Sequence, residues 1–199
     1  MLTFQSDRFV SGTFLIAFCA VILQWLAQGA ASGPLGIAPQ ISPGVATPVR
    51  LFVPRLGVNA PIEQVGVTRQ GNMDVPSGAE TVGWYKLGPK PGEKGNAVIS
   101  GHLDTLLGPA VFWRLNELVQ GDEIVVRDAR AELRTFSVVR TQAYDAANAP
   151  LEEIFGSGSG VNLQLITCNG SWVEHKRSYD KRLVVFARAL SGSVLRLAP

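Results

Sequence analysis

Thiols and imidazoles are scarce in this chain, whose 199 residues hold two cysteines and two histidines. Cys19, Cys168, His102 and His175 show no metal-ligand spacing, so a zinc site fits poorly and no metal or other cofactor is expected. Charge of one sign is lacking as well. Eighteen basic residues against 16 acidic ones leave a formal charge of +2, and the basic residues are scattered, which argues against a nucleic-acid partner. There is no Gly-rich phosphate cradle, Ser elbow or nucleotide fingerprint, and no internal repeat. Paired carboxylates such as Glu152 and Glu153 read as solvated groups.

Charge is missing altogether from Phe9 to Ala31. A helix of about 20 residues rises about 30 Å, enough to cross the hydrocarbon core. Arg8 precedes the run and no basic residue follows before Arg50, which orients the N-terminus to the cytoplasm. Residues 1–31 are therefore expected to be a single-pass transmembrane anchor, with a cleaved signal peptide as the alternative; small residues near Gln28 to Ala31 fit signal peptidase. Either reading exports the rest of the chain. Cys19 lies inside the apolar run, so it cannot reach Cys168 for a disulfide if the run spans the membrane. The bulky Phe18 before Cys19 argues against lipoprotein acylation. Cys168 is left as a lone exported thiol.

Residues 32–49 carry Pro34, Pro39, Pro43 and Pro48 among Gly, Ser and Ala, the composition of a semi-extended tether. From residue 50 to 199 a mainly β domain is expected. Leu51–Val53, Val58–Val67, Thr81–Tyr85, Ala97–Ser100, Glu123–Arg127, Leu133–Thr141, Leu163–Thr167 and Leu183–Ala189 read as strands. Turns fall at Gln70–Asn72, Pro89–Gly92 and Gln120–Asp122, and short helices are expected near Pro109–Leu118 and Pro150–Phe155. This many short strands with so little helix favours a closed or nearly closed barrel.

Three side chains stand where a strand is expected to meet a loop. Cys168 ends Leu163–Thr167 and is followed by Asn169-Gly170; the bland alternative is a buried cysteine acting as a small hydrophobe. His102 follows Ala97 to Ser100, with Gly101 expected to let the backbone bend. Arg182 opens the last strand and offers a fixed, always-charged fork to a developing oxyanion, although such residues also pair with carboxylates. Arg177 competes with it from a loop, and His175 reads as solvated.

Leu165-Ile166-Thr167-Cys168 resembles the T-L-x-T-C signature of sortases, with Gln164 in the place of its first Thr. The order His102, Cys168, Arg182 is also that family's order. Asp74–Pro76, Val82–Tyr85, Gly88–Ile99 and Val111–Leu115 are similar to sortase segments, the last two to the subgroup called class F. The resemblance runs from about Arg50 to Leu190. It implies an eight-stranded β-barrel preceded by one transmembrane helix, with a groove ending at the thiol. It implies a cysteine transpeptidase with Cys168 as nucleophile, His102 as acid/base and Arg182 as oxyanion stabiliser, Thr167 touching substrate, and hydrolysis as the side reaction. Its partners would be secreted proteins bearing a C-terminal Leu-Pro-x-Thr-Gly-like sorting signal, and an amine acceptor in a cell-wall precursor or pilin. The catalytic domain would lie outside the cell membrane. Competing readings fit less well. L,D-transpeptidases carry a Ser-x-Gly-Cys-x-Arg run that Ile166 to Gly170 does not match, and papain-like enzymes place Cys before His. A non-enzymatic, membrane-tethered β-domain that binds envelope proteins is the alternative of a different class.

Overall fold

A computed structural model describes residues 44–196. The expected anchor or signal segment, and the tether as far as residue 43, lie outside the described residues. Among the described residues no helix is long and apolar enough to cross a membrane.

Among the described residues ten strands form in chain order: β1 (Pro48–Val53), β2 (Val58–Val65), β3 (Val82–Tyr85), β4 (Gly95–Gly101), β5 (Asp104–Thr105), β6 (Gly108–Pro109), β7 (Glu123–Asp128), β8 (Glu132–Asp145), β9 (Val161–Val173) and β10 (Ser178–Arg196). A short helix, α1 (Leu151–Phe155), precedes β9. Eight of the strands close into a barrel in the order β1-β2-β3-β4-β9-β10-β8-β7, and β5 and β6 form a separate two-stranded hairpin. Each of the eight strand-like runs in the sequence falls on one of the eight barrel strands. The pairs β2–β3 and β4–β9 are parallel and the others antiparallel. Parallel neighbours need a long connection, and between β4 and β9 the chain makes the β5–β6 hairpin, β7, β8 and α1.

Alternation decides which side chains face the interior. β7 and β8 alternate buried and half-buried positions, so Ile124, Val126, Phe136 and Val138 point into the barrel. On β9 the inward residues are Leu163, Leu165 and Thr167. The period of two then turns Gln164, Ile166 and Cys168 to the outer face. Ile166 there joins a second apolar cluster with Val98 of β4, Val184 and Phe186 of β10, and Ile154 of α1. α1 thus covers part of the outer face that carries the thiol.

The expected helix over Pro109–Leu118 reduces to one 3-10 turn, Leu115–Glu117. Its earlier amides bond elsewhere: Val111 N–H reaches Ala79 and Phe112 N–H reaches His102. The Phe112 ring then fills the interior, and a Cβ on Gly101 would stand 2.5 Å from it. Gly101 is required by that close approach, where the sequence pointed to backbone bending.

Where the described chain begins, Arg130 donates to the Gly44 carbonyl and Lys90 to that of Val45 at 2.8 Å. Lys90 lies just before β4, whereas His102 follows the other end of that strand, about 20 Å along it at 3.3 Å per residue. The chain therefore joins the barrel away from His102.

A buried ionic group braces the β7–β8 turn. Arg134, 8% exposed, donates to Asp128 at 2.8 Å and Glu132 at 2.7 Å. Burial pushes the Asp128 carboxyl up, but the Arg134 guanidinium and the N–H groups of Glu132 and Arg130 outweigh it and hold the group below its ordinary value. Removing one partner of a buried pair leaves an uncompensated charge. Arg134→Ala is therefore expected to lower unfolding stability by about 3–5 kcal/mol in urea melts at pH 7. Asp128 is depressed, so its share is present above the unfolded value of about 3.9 and lost as pH falls through the lower folded one. The gap between wild type and variant should accordingly narrow in acid.

Candidate active site

Cys168 lies on β9, between β4 on one side and β10 on the other. Arg182 is its direct cross-strand partner. The parallel β4–β9 register reaches Ser100 opposite Ile166, and two residues further along both chains stand His102 and Cys168. Three residues far apart in sequence are thus brought to neighbouring places, Cys168 and Arg182 as a cross-strand pair and His102 just past the end of β4. His102 directly follows the end of β4, as expected, whereas Cys168 and Arg182 lie within their strands and not at the strand ends expected for them. β9 continues past Cys168 to Val173 and β10 begins at Ser178, so the two extend together as a hairpin. Gly170, at φ +84°, absorbs a register shift there that Asn169-Gly170 had suggested was a strand terminus.

Two cavities meet at the sulfur. One, of about 350 Å³, runs along the outer face past Ile166 and Val184 to α1, with Met73, Val75 and Ala149 along it and Cys168 and Arg182 at its end. The other, of about 500 Å³, is more polar and brings Asp104, Asn116, Asn169 and Tyr179 around Cys168 from the opposite side. Such a sulfur can receive one reactant from each side. Thr167 borders the first cavity, but its side chain is buried and donates to the Gly101 carbonyl at 2.8 Å. It ties β9 to β4 immediately before His102.

The half-buried thiol is free. Burial pushes its pKa up; Arg182 opposes this and the Asp104 carboxylate adds to it. The resting sulfur at neutral pH is therefore mainly the thiol. Arg182 is the nearby cation that favours the thiolate. His102 donates its Nε2–H to the Pro76 carbonyl at 2.9 Å. A carbonyl only accepts, so that bond fixes a proton on Nε2 and leaves Nδ1 for exchange. Pro76 is placed in turn by Glu63, which accepts from Ser77 N–H at 3.0 Å and Ser77 Oγ–H at 2.8 Å. Those two bonds hold the Glu63 carboxyl below its ordinary value, and it stays ionised on the imidazole side of the site.

Arg182 is held by the hairpin. Its Nη1 donates to the carbonyls of Tyr179 at 2.9 Å and Lys181 at 2.8 Å, and its Nη2 to Ser178 Oγ at 2.9 Å. A guanidinium has five N–H donors, so two remain for a ligand. No carboxylate pairs with it among the described residues. Arg177 stands at the exposed tip of the hairpin, at φ 46°, and His175 is exposed beside it. Glu63, Pro76, Ser77, Asp104 and Tyr179 were not singled out from sequence. Asp104, two residues past His102, carried a positional hint, and Pro76 lies in the sortase-like segment Asp74–Pro76.

Among the described residues no cluster of side chains could hold a metal ion. No curated protein matches the chain. Among solved structures it is similar to the sortase SrtA of Actinomyces oris, at 28% identity and a TM-score of 0.56, over 76% of this chain and 83% of that one. Sortase E1 of Streptomyces coelicolor, solved with a tripeptide in its active site, aligns at 22% identity and a TM-score of 0.56, over 75% and 91%. Sortase C-1 of Actinomyces oris aligns at 22% and 0.57, over 71% of each chain. The Sortase domain family matches residues 51–190, most of the chain and nearly the whole barrel. The chain belongs to the sortase family of cysteine transpeptidases.

Proposed function

We propose that this protein is a membrane-anchored sortase that cleaves a C-terminal Leu-Pro-x-Thr-Gly-like sorting signal and joins the new carbonyl to an amine of the cell envelope. The observation that carries the reading is the sulfur of Cys168 at the meeting of two cavities, with Arg182 across one strand pair and His102 along the other.

The apolar cavity takes the sorting signal as an extended segment, its aliphatic residues against Ile166, Val184 and α1. Deprotonated Cys168 attacks the scissile carbonyl, forming a C–S bond and a tetrahedral oxyanion. Arg182 meets that oxygen with its two remaining N–H groups. Collapse breaks the C–N bond, and protonated His102 gives its proton to the departing amine. An acceptor amine then enters from the polar cavity, loses a proton to neutral His102 and displaces the thiolate. Water in place of the amine gives slow hydrolysis. Because burial keeps the sulfur protonated, only the fraction of molecules holding thiolate and imidazolium together is reactive.

The uncharged run from Phe9 to Ala31 supports single-pass anchoring with the barrel outside the membrane, where secreted proteins and wall precursors or pilins meet. Gly88–Ile99 and Val111–Leu115 support placement in class F. The test is a library of sorting-signal peptides given to the exported part with and without added amines. Cleavage between Thr and Gly, with ligated product in the presence of amine, is expected. No cleavage of any such peptide, or cleavage with no amine incorporated, overturns the proposal.

A further inference from the structure

β4 and β10 flank β9 but do not pair with each other. The segments that carry His102 and Arg182 therefore flank Cys168 without sharing a ladder, and one side-chain bond beside the polar cavity joins them. The Tyr179 phenol donates to the Asp104 carboxylate across 75 residues of sequence. Asp104 is two residues beyond His102, on β5. Tyr179 is three residues before Arg182, and its own carbonyl accepts from the Arg182 guanidinium at 2.9 Å. The bond thus closes a ring through His102, Asp104, Tyr179, Arg182 and Cys168. Trp172 holds the Tyr179 ring edge-on at 5.5 Å between centroids.

We propose that Asp104 and Tyr179 form a clasp over Cys168 that positions Arg182 relative to the thiol and sets the charge the thiol meets. This rests on Cys168 being the nucleophile. The clasp has two separable parts. Its hydrogen bond fixes the start of β10, and with it the Tyr179 and Lys181 carbonyls that orient Arg182. Its carboxylate lies on the sulfur's side of the polar cavity, where a negative charge opposes thiolate formation. Donation from the phenol draws charge from that carboxylate, and Tyr179 itself is pushed up to about 12 by the same bond, so it stays a donor throughout the working range.

The groups facing Cys168 are His102 after β4, Asp104 on β5, and Tyr179 and Arg182 on β10. Around the rest of the polar cavity Arg114 and Glu117 neutralise each other at 2.6 Å. Asp180 accepts from Ser171 N–H at 2.8 Å, and Lys181 on the hairpin is exposed. On the apolar side Asp74 accepts from Val75 N–H at 2.9 Å. None of these links the two arms as the clasp does.

Two variants separate the two parts. Asp104→Asn removes the charge but keeps an oxygen that accepts from the phenol. Tyr179→Phe removes the hydrogen bond but keeps the ring against Trp172. The experiment measures the pH dependence of iodoacetamide alkylation of the full chain, read by mass at the peptide containing Cys168, together with kcat and KM for a sorting-signal peptide. Asp104→Asn is expected to move the alkylation curve down by about half a pH unit or more, and Tyr179→Phe to move it up. Tyr179→Phe is expected to lower kcat about tenfold with KM within about twofold, the larger kcat loss of the two. Curves for both variants that superpose on wild type, or shift in the same direction, overturn the clasp. So does a Trp172→Ala shift equal to that of Tyr179→Phe, because packing would then carry the effect. If Cys168→Ala still cleaves the peptide, the nucleophile assignment fails instead, which the other variants do not decide.

Discussion

Cys168→Ala is expected to abolish cleavage of a fluorogenic sorting-signal peptide, with kcat/KM reduced by at least about 10⁴-fold. The size of the loss follows from chemistry with no substitute at the site. Cys168 is the free cysteine of the described residues, and alanine has no atom that can form the acyl bond. Water attacking directly would lack both a covalent intermediate and a general base aligned for it. Binding should persist, since the apolar cavity is walled by Ile166, Val184 and α1 and the sulfur only ends it. Peptide affinity, measured by fluorescence anisotropy, is therefore expected to stay within about threefold while turnover vanishes. Turnover like that of wild type would end the nucleophile assignment.

Arg182→Lys is expected to lower kcat by about 100-fold and to leave KM nearly unchanged. Three of the guanidinium's five donors already hold the Tyr179 and Lys181 carbonyls and the Ser178 hydroxyl, so its plane is fixed before substrate arrives. An ammonium has three donors and no plane. It cannot satisfy those acceptors and still point two N–H groups at the oxyanion. The cation on the thiol would survive in part, so the alkylation profile should move less than turnover does. Arg177→Ala is the matched control, because Arg177 stands at the exposed hairpin tip. A loss in Arg177→Ala without one in Arg182→Lys would require the two roles to be exchanged.

The barrel was legible because its strands obey a period of two over apolar runs bounded by Gly and Pro. On β8 Phe136 and Val138 are buried with half-buried Ser137 between them, as a period of two requires, whereas on β9 Gln164 is buried together with Leu163 and Leu165. Strand ends were less legible. Asn169-Gly170 reads as a terminator, but a bulge uses the same residues and lets β9 run on as a hairpin arm. Local pattern cannot separate the two, since Asn-Gly suits a turn as well as a bulge and here Gly170 takes a positive φ within the bulge. The expected helix near Pro109 is reduced to one 3-10 turn, while Val111 and Phe112 donate to Ala79 and His102, contacts that no local propensity encodes.

The order of His102, Cys168 and Arg182 was visible in the sequence; their supports were not. Tyr179 meets Asp104 over a separation of 75 residues, and Glu63 meets Ser77 over 14. Such pairs carry no periodicity and become meaningful only once the barrel brings their strands together. An ordinary cysteine is mostly a thiol at neutral pH, but the further upward push from burial was hidden, because burial is a property of the closed fold.

The central claim is that the acyl group passes through a thioester on Cys168. Intact-mass spectrometry of the enzyme, quenched in acid during turnover of a sorting-signal peptide, tests it most directly. The account predicts an added mass equal to the acyl fragment, located at Cys168, absent in Cys168→Ala and discharged by an amine acceptor. Turnover with no adduct, or an adduct on another residue that amine discharges equally well, would contradict it.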